Sequence, residues 1–464
     1  MPRWLVYIVA AGQPVAAWHQ SLLRRVAGAR SLPPPRLCAD EDDQIADSDQ
    51  TVLFASLRAR QLDIERECTS RWRKAQCTSS INLALDGWVR RLAVEWPKAA
   101  IGTADGSVVI ADLSSGQVIS RAVDAHPARI GNEASARDMR LLHGAYDGGG
   151  LTAISLRGDF VVSAGRDGGA RLWQIGAGKA LKAIGALKDN TAVVSAIVLA
   201  ADDDQADDIQ YCWLASLDGT VSRWEWQPAA VAVDGAAESP AFCKTPRCTL
   251  QVEAGSAVLD LALHPSRPLI ACSTALGSVE LFSSVDGTTL GVWSPLAFDG
   301  SRGYKGERAR SVALATVRDS DCVFVGGSDG TMHARPLMPT AQADDNGHAS
   351  LFASSLPGQL MTPSHGGAVV ALTPIVVAAG QTAARTAGSA ANFVVSGAQD
   401  GTLRLWDLES MRAAATSQQG PVCLFGLGGY KVWLGSVCTD GQRLISDGRD
   451  NTILVHDFGA EPAD

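Results

Sequence analysis

VSGAQDGTLRLWDL, Val395–Leu408, is the stretch from which the rest of the chain can be read. An apolar run and Ser396 lead into Asp400-Gly401, after which Leu403 and Leu405 alternate with Thr402 and Arg404 up to Trp406. An aspartate bonds its own backbone two residues on, and glycine tolerates positive φ. Asp-Gly between two such runs therefore predicts a hairpin with a strand on either side.

The same pattern recurs through most of the 464 residues, which matters because an internal repeat decides an architecture before any single element does. The other copies are IGTADGSVVIADL from Ile101, VSAGRDGGARLWQI from Val162, LASLDGTVSRWEW from Leu214, ACSTALGSVELFS from Ala271, FVGGSDGTMHARP from Phe324 and ISDGRDNTILVHDF from Ile445. Six of the seven copies place aspartate first in the turn: Asp105, Asp167, Asp218, Asp329, Asp400 and Asp450, with Leu276 the exception. Six place glycine second, with Asn451 the exception. Six residues beyond the first turn position stand Trp173, Trp224, Phe282, Trp406 and His456, while Ala111 and Arg335 depart. A ring at one fixed strand position suits a wedge between neighbouring sheets, so these are core residues.

Seven copies in register resemble the WD-repeat family, over roughly 81–459. The resemblance implies a buried hydrogen-bonded set of His, Ser or Thr, Asp and Trp in each blade. His365, Ser396, Asp400 and Trp406 match it in full, and Ser163, Asp167 and Trp173 match three of its four members. Ser446, Asp450 and His456 match in part, whereas Ile101, Leu214, Cys272 and Val325 replace the serine elsewhere. The fold expected is all-β: a seven-bladed β-propeller of four-stranded antiparallel blades, closed by an N-terminal strand and preceded by a short helical or disordered extension. Only six residues follow Phe458, too few for a last strand, so Ser79–Leu85 is expected to pair beside the final blade's third strand and cover its edge.

Successive turns lie 50 to 71 residues apart, against roughly 40–45 for a regular repeat. Insertions are expected at Pro127–Gly150, Asp202–Asp208, Pro228–Cys248, Ser294–Arg308, Pro336–Ser364 and Ala378–Ala391, all rich in loop-forming residues. The propeller then occupies 79–459, with a tail at 460–464 and an acidic linker and short helix at 40–78. Residues 1–39 contain five arginines and no acid, and read as an organelle presequence, a secretory apolar region or a disordered start.

The net charge of −9 argues against nucleic acid, which is usually met by a basic face. The ten cysteines form no CxxC pair and no visible metal set, and they read as reduced residues of a cytoplasmic or nuclear protein. A presequence would instead mean a mitochondrion or plastid. No run reaches the ~18 apolar residues of a membrane span. Gly176-Ala-Gly178-Lys179 lacks the first glycine and the Ser or Thr of a phosphate loop, and neither GxSxG nor HExxH occurs. No catalytic residue, metal or cofactor is therefore expected.

The expected function is a protein-binding scaffold, monomeric within a larger complex. In the WD-repeat family, the residue before the turn aspartate points onto the face used most often for partners. Carried over, those positions are Ala104, Arg166, Leu217, Ala275, Ser328, Gln399 and Arg449. Arg166 and Arg449 beside an exposed Leu217, with Gln399 on the same rim, suit an acidic or phosphorylated peptide. Glu67–Lys74 also resembles the basic Trp-Arg linker of F-box/WD proteins, which present substrates to a ubiquitin ligase, although no Leu-Pro F-box precedes it.

Overall fold

The computed structural model describes residues 42–127, 150–176, 180–189, 192–201, 210–227, 246–296, 307–343, 349–353, 358–377, 390–413, 420–428, 434–447 and 451–459. Among them the strands form seven four-stranded antiparallel sheets and one two-stranded hairpin. Five sheets use successive strands, within 89–122, 151–189, 194–253, 258–293 and 369–427, and a sixth, within 309–361, passes over the two strands of the hairpin to take its fourth. The seventh joins Val437–Thr439, Arg443–Asp447 and Thr452–Asp457 to a strand from far upstream, β1 (Thr78–Ala84). First strands of successive sheets pack side by side, and the seventh packs back on the first, so the sheets are blades of a closed propeller.

The repeated turn is the reason this sequence makes these blades. Gly106, Gly168, Gly219, Gly277, Gly330 and Gly401 all have positive φ, and so does Asn451 at the one position lacking glycine. At Gly330 a Cβ would lie 2.3 Å from the His365 carbonyl oxygen, so the turn needs both the backbone freedom and the missing side chain. Second strands lie between neighbours on both faces: Phe160–Gly165, Leu269–Thr274 and Phe393–Ala398 are buried at every residue. They accordingly read as continuous apolar runs, while the outer Arg247–Glu253 is largely exposed.

Six innermost strands carry an extra residue just after their first pair: Arg90, Thr152, Ser195, Leu259, Arg310 and Val370. A bulge shifts which side chains face the channel and sharpens the local twist. Side chains at this level tie three of the blades to the next. Thr152 donates to the Val194 carbonyl at 2.7 Å, Ser195 to Val258 at 2.7 Å and Ser311 to Val369 at 2.9 Å.

β1 closes the ring as expected, antiparallel to Thr452–Asp457 with Ser79 opposite His456 and Ala84 opposite Thr452. The helix before it, α1 (Asp42–Arg73), starts within the stretch expected to be an acidic linker and runs for 32 residues. The chain divides into two compact units, Met1–Ala59 and Arg60–Asp464. Within the larger unit the last turns of α1 are pinned to the propeller. Trp72 is fully buried, stacked on Phe458 at 3.7 Å, and its indole N–H donates to the Gly441 carbonyl at 3.0 Å. Cys68 is buried beside it, and Arg73 pairs with Asp407 at 3.2 Å and with Glu409. The tryptophan and arginine that resembled a ligase-type linker are thus docking residues.

Most of the expected insertions, Asp450, Arg449, the arginine-rich segment and the tail lie outside the described residues. Within Pro336–Ser364 a small hairpin pairs Gln342–Ala343 with Ala349–Ser350, and Leu351 and Phe352 return to the core. Among the described residues no helix is long and apolar enough to cross a membrane, and no group of three His, Cys, Asp or Glu could hold a metal ion.

Candidate functional site

The repeat residues build the site from below, because they hold the rim in place. In the sixth blade the Trp406 N–H donates to Ser396 Oγ at 2.9 Å, and Ser396 meets His365 Nε2 at 2.7 Å. His365 Nδ1 reaches Thr402 Oγ1 at 2.9 Å, and both the amide and the hydroxyl of Thr402 donate to Asp400. Burial lowers the His365 pKa to about 4, with the Arg404 charge adding to the effect, so the ring is neutral at pH 7 and one nitrogen accepts while the other donates.

The second blade holds the same set. His126 supplies the fourth member, bonding Ser163 at 2.8 Å and Asp167 at 3.0 Å, while the Trp173 N–H donates to Ser163 at 2.8 Å. His126 is a full counterpart of His365, and completes a set of which the sequence pattern matched three members. Gly169 stands where Thr402 stands in the sixth blade, so the histidine reaches the aspartate directly, and Arg171 adds an ion pair at 2.6 Å.

The remaining blades solve the same problem with other residues. Asp218 and Asp329 are bonded by Thr220 and Thr331, and Trp224 donates to Ser222 on its own strand at 3.1 Å. Asp105 is bonded by Thr103 and Ser107 and paired with Arg121 at 2.9 Å. The fourth blade, with Leu276 in the turn, uses Glu280 to accept the Gly255 amide at 3.0 Å, as Asp400 accepts Gly366 at 2.7 Å. In the seventh, His456 bonds Ser79 of the closing strand at 2.6 Å, and Ser446 Oγ has no partner among the described residues. Arg335, which breaks the ring pattern, lays its guanidinium over Trp293 and Phe352, 5.5 and 4.8 Å from their centroids.

Above these sets lies the rim. Ala104, Arg166, Leu217, Ala275, Ser328 and Gln399 each donate their backbone N–H to the residue just before an innermost strand: Trp88, Gly150, Val193, Ala257, Arg308 and Ala368, at 2.8 to 3.2 Å. The family-derived positions are therefore equivalent in space. They also reveal a second set beside the channel mouth, including Trp88 and Arg308, that the turn pattern alone does not show.

Leu217 requires a correction: it is only 8% exposed, packed with Val193 and Leu259, because neighbouring blades crowd it. Arg166 is half-buried in the second blade, and Gln399 sits across the ring in the sixth, lining the channel with Trp88. Arg449, the intended partner of Arg166, lies outside the described residues.

A sequence-family model described as WD domain, G-beta repeat, matches residues 387–407, which span the second strand, turn and third strand of the sixth blade. The chain is also similar to the computationally designed Ika8 protein, at 19% identity and a TM-score of 0.43, covering 81% of this chain and 99% of that one. No curated protein matches it. That repeat match, together with seven four-stranded blades built on one hairpin pattern, supports a β-propeller of WD-repeat type.

Proposed function

We propose that this chain is a non-catalytic scaffold that binds partner proteins through the rim bearing Arg166 and Gln399, to which the repeat pattern also assigns Arg449, as one subunit of a larger complex. The observation that carries this reading is the rim itself: equivalent backbone hydrogen bonds hold six positions, of which Leu217 is buried and the other five are Ala, Arg, Ala, Ser and Gln. A rigid frame with varied side chains suits recognition, since function on a common fold resides in what its sites display. The described turn aspartates are engaged within their own blades, which accounts for their recurrence without chemistry.

The favoured partner is a peptide with acidic or phosphorylated residues, because arginine forks pair well with such groups. The second reading, a ligase substrate receptor, drew on Trp72 and Arg73, and both are accounted for by docking against the propeller. The test is affinity capture with the full chain and with Arg166→Glu/Arg449→Glu. A partner recovered by the wild type and lost from the folded double variant supports the rim. Equal recovery moves the binding surface elsewhere, and stoichiometric recovery of a ligase core would revive the second reading.

A further inference from the structure

The innermost strands enclose a channel of about 370 Å³ that runs from Trp88 and Gln399 at the rim down to Val198 and Thr373. Four of the six bulge positions hold uncharged residues, Thr152, Ser195, Leu259 and Val370. The other two are arginines, Arg90 in the first blade and Arg310 in the fifth, and Arg91 follows the first. Three guanidiniums thus line one narrow space, with Arg308 just above on the rim.

Asp260 lines the same space, and Asp447 lies within electrostatic reach of Arg91. Asp260 accepts the amides of Leu261 and Val312 at 2.9 and 3.0 Å, and Asp447 accepts those of Gly435 and Ser436 at 2.7 and 2.9 Å. Their oxygens are oriented toward the backbone. Arg91 is positioned by the carbonyls of Thr152 and Arg90 at 2.6 and 2.9 Å. Charge is therefore weighted three to two in favour of cations, and burial weights it further. It raises Asp260 to about 6 and Asp447 to about 7, so that Asp447 in particular is incompletely ionised at neutral pH, whereas Arg91 and Arg310, lowered by burial to about 10, stay charged. At the mouth, Arg90 lies over the Trp88 ring, 4.6 Å from its centroid.

We propose that the channel is an oxyanion-binding site, in which Arg310, Arg91 and Arg90 receive a phosphate- or sulfate-like group entering past Trp88. The site takes either a free ion or the phosphorylated end of a ligand, since both present the same tetrahedral oxyanion to planar donors. This goes beyond partner binding at the rim and does not depend on it.

The test uses the full chain, titrated at constant ionic strength with inorganic sulfate and, separately, with a phosphoserine peptide, followed by calorimetry and tryptophan fluorescence. Sulfate keeps its charge between pH 6 and 8, so it reports the protein's groups alone. Saturable sulfate binding is expected, weaker by about tenfold in Arg310→Gln, unchanged in the surface variant Arg247→Gln, and tighter at pH 6 than at pH 8. The pH effect follows because Asp260 and Asp447 gain negative charge across that range while Arg90, Arg91, Arg308 and Arg310 stay cationic. A peptide binding more tightly than sulfate identifies the occupant as a ligand's phosphorylated end; equal or weaker binding identifies a free ion. Should Arg310→Gln fail to fold, Arg90→Gln carries the same test with a loss of a few fold and no Trp88 response. Absence of saturable binding at either pH, or unaltered affinity in the folded arginine variant, overturns the proposal, and neither bears on capture of partners by the rim.

Discussion

Replacing Trp72 by alanine tests whether the end of α1 is part of the fold or merely precedes it. The indole is fully buried, lies flat on Phe458 and donates to the Gly441 carbonyl. Burying a side chain of roughly 200 Å² at about 25 cal/mol per Å² gives an upper figure of about 5 kcal/mol, of which alanine retains a part. Losing the hydrogen bond leaves Gly441 with only the Cys68 thiol at 3.8 Å, which adds about 1 kcal/mol. The net expectation is about 4 kcal/mol, in line with Trp→Ala changes in cores generally.

Equilibrium urea unfolding followed by far-UV circular dichroism would read this as a lowered midpoint with unchanged slope. Two deletions complete the test. Removing residues 1–76 leaves β1, so the ring should close and unfold at a midpoint close to that of Trp72→Ala. Removing 1–85 also takes β1 away, exposes Thr452–Asp457 as an unpaired edge, and should abolish cooperative unfolding. A loss below about 1 kcal/mol for Trp72→Ala, or indistinguishable behaviour of the two deletions, would refute the clasp.

Gly330→Ala should cost well over the ~1 kcal/mol of a simple left-handed glycine replacement, because its new methyl meets the His365 carbonyl. Gly158→Ala, also at positive φ but with nothing within 4 Å, should cost only that ~1 kcal/mol, and urea midpoints will separate them. The pH dependence of His365 has a definite sign. Its folded pKa, about 4, lies below the unfolded value near 6.5, so its contribution is whole above pH 6.5 and drains away as pH falls towards 4. That window is worth about 3 kcal/mol, and His365→Gln should flatten the stability profile there; an unaltered profile would show that the buried set does not control it.

The blades were legible because each contains one hairpin whose chemistry is local. An aspartate bonding its own turn and a residue at positive φ need nothing from the rest of the chain. The closing strand was legible by a different route, since Ser79–Leu85 is strand-like and stands just before the first copy of the repeat without a place in it. Other features depended on neighbours distant in sequence. His126 is separated from Ser163 by the insertion at Pro127–Gly150, which hid the completeness of the second set. Leu217 looked exposed because rim position was judged without Val193 and Leu259, which cover it. Trp72 and Arg73 were read as a linker signature because their contacts lie more than 300 residues away. The channel arginines escaped notice because a bulge breaks the two-residue alternation from which facing is inferred.

The pairing of β1 with Thr452–Asp457 sets an order of events during biosynthesis. The two strands lie about 370 residues apart, so at roughly 5–20 residues per second the first emerges from the ribosome about 20–75 seconds before its mate exists. Throughout that delay Trp72 and the open edge of β1 lack the Phe458 ring and the Thr452–Asp457 strand that cover them. The nascent chain thus passes through an interval in which its earliest-made elements are its stickiest, and its yield in a cell should depend on holdase chaperones more steeply than its final stability would suggest.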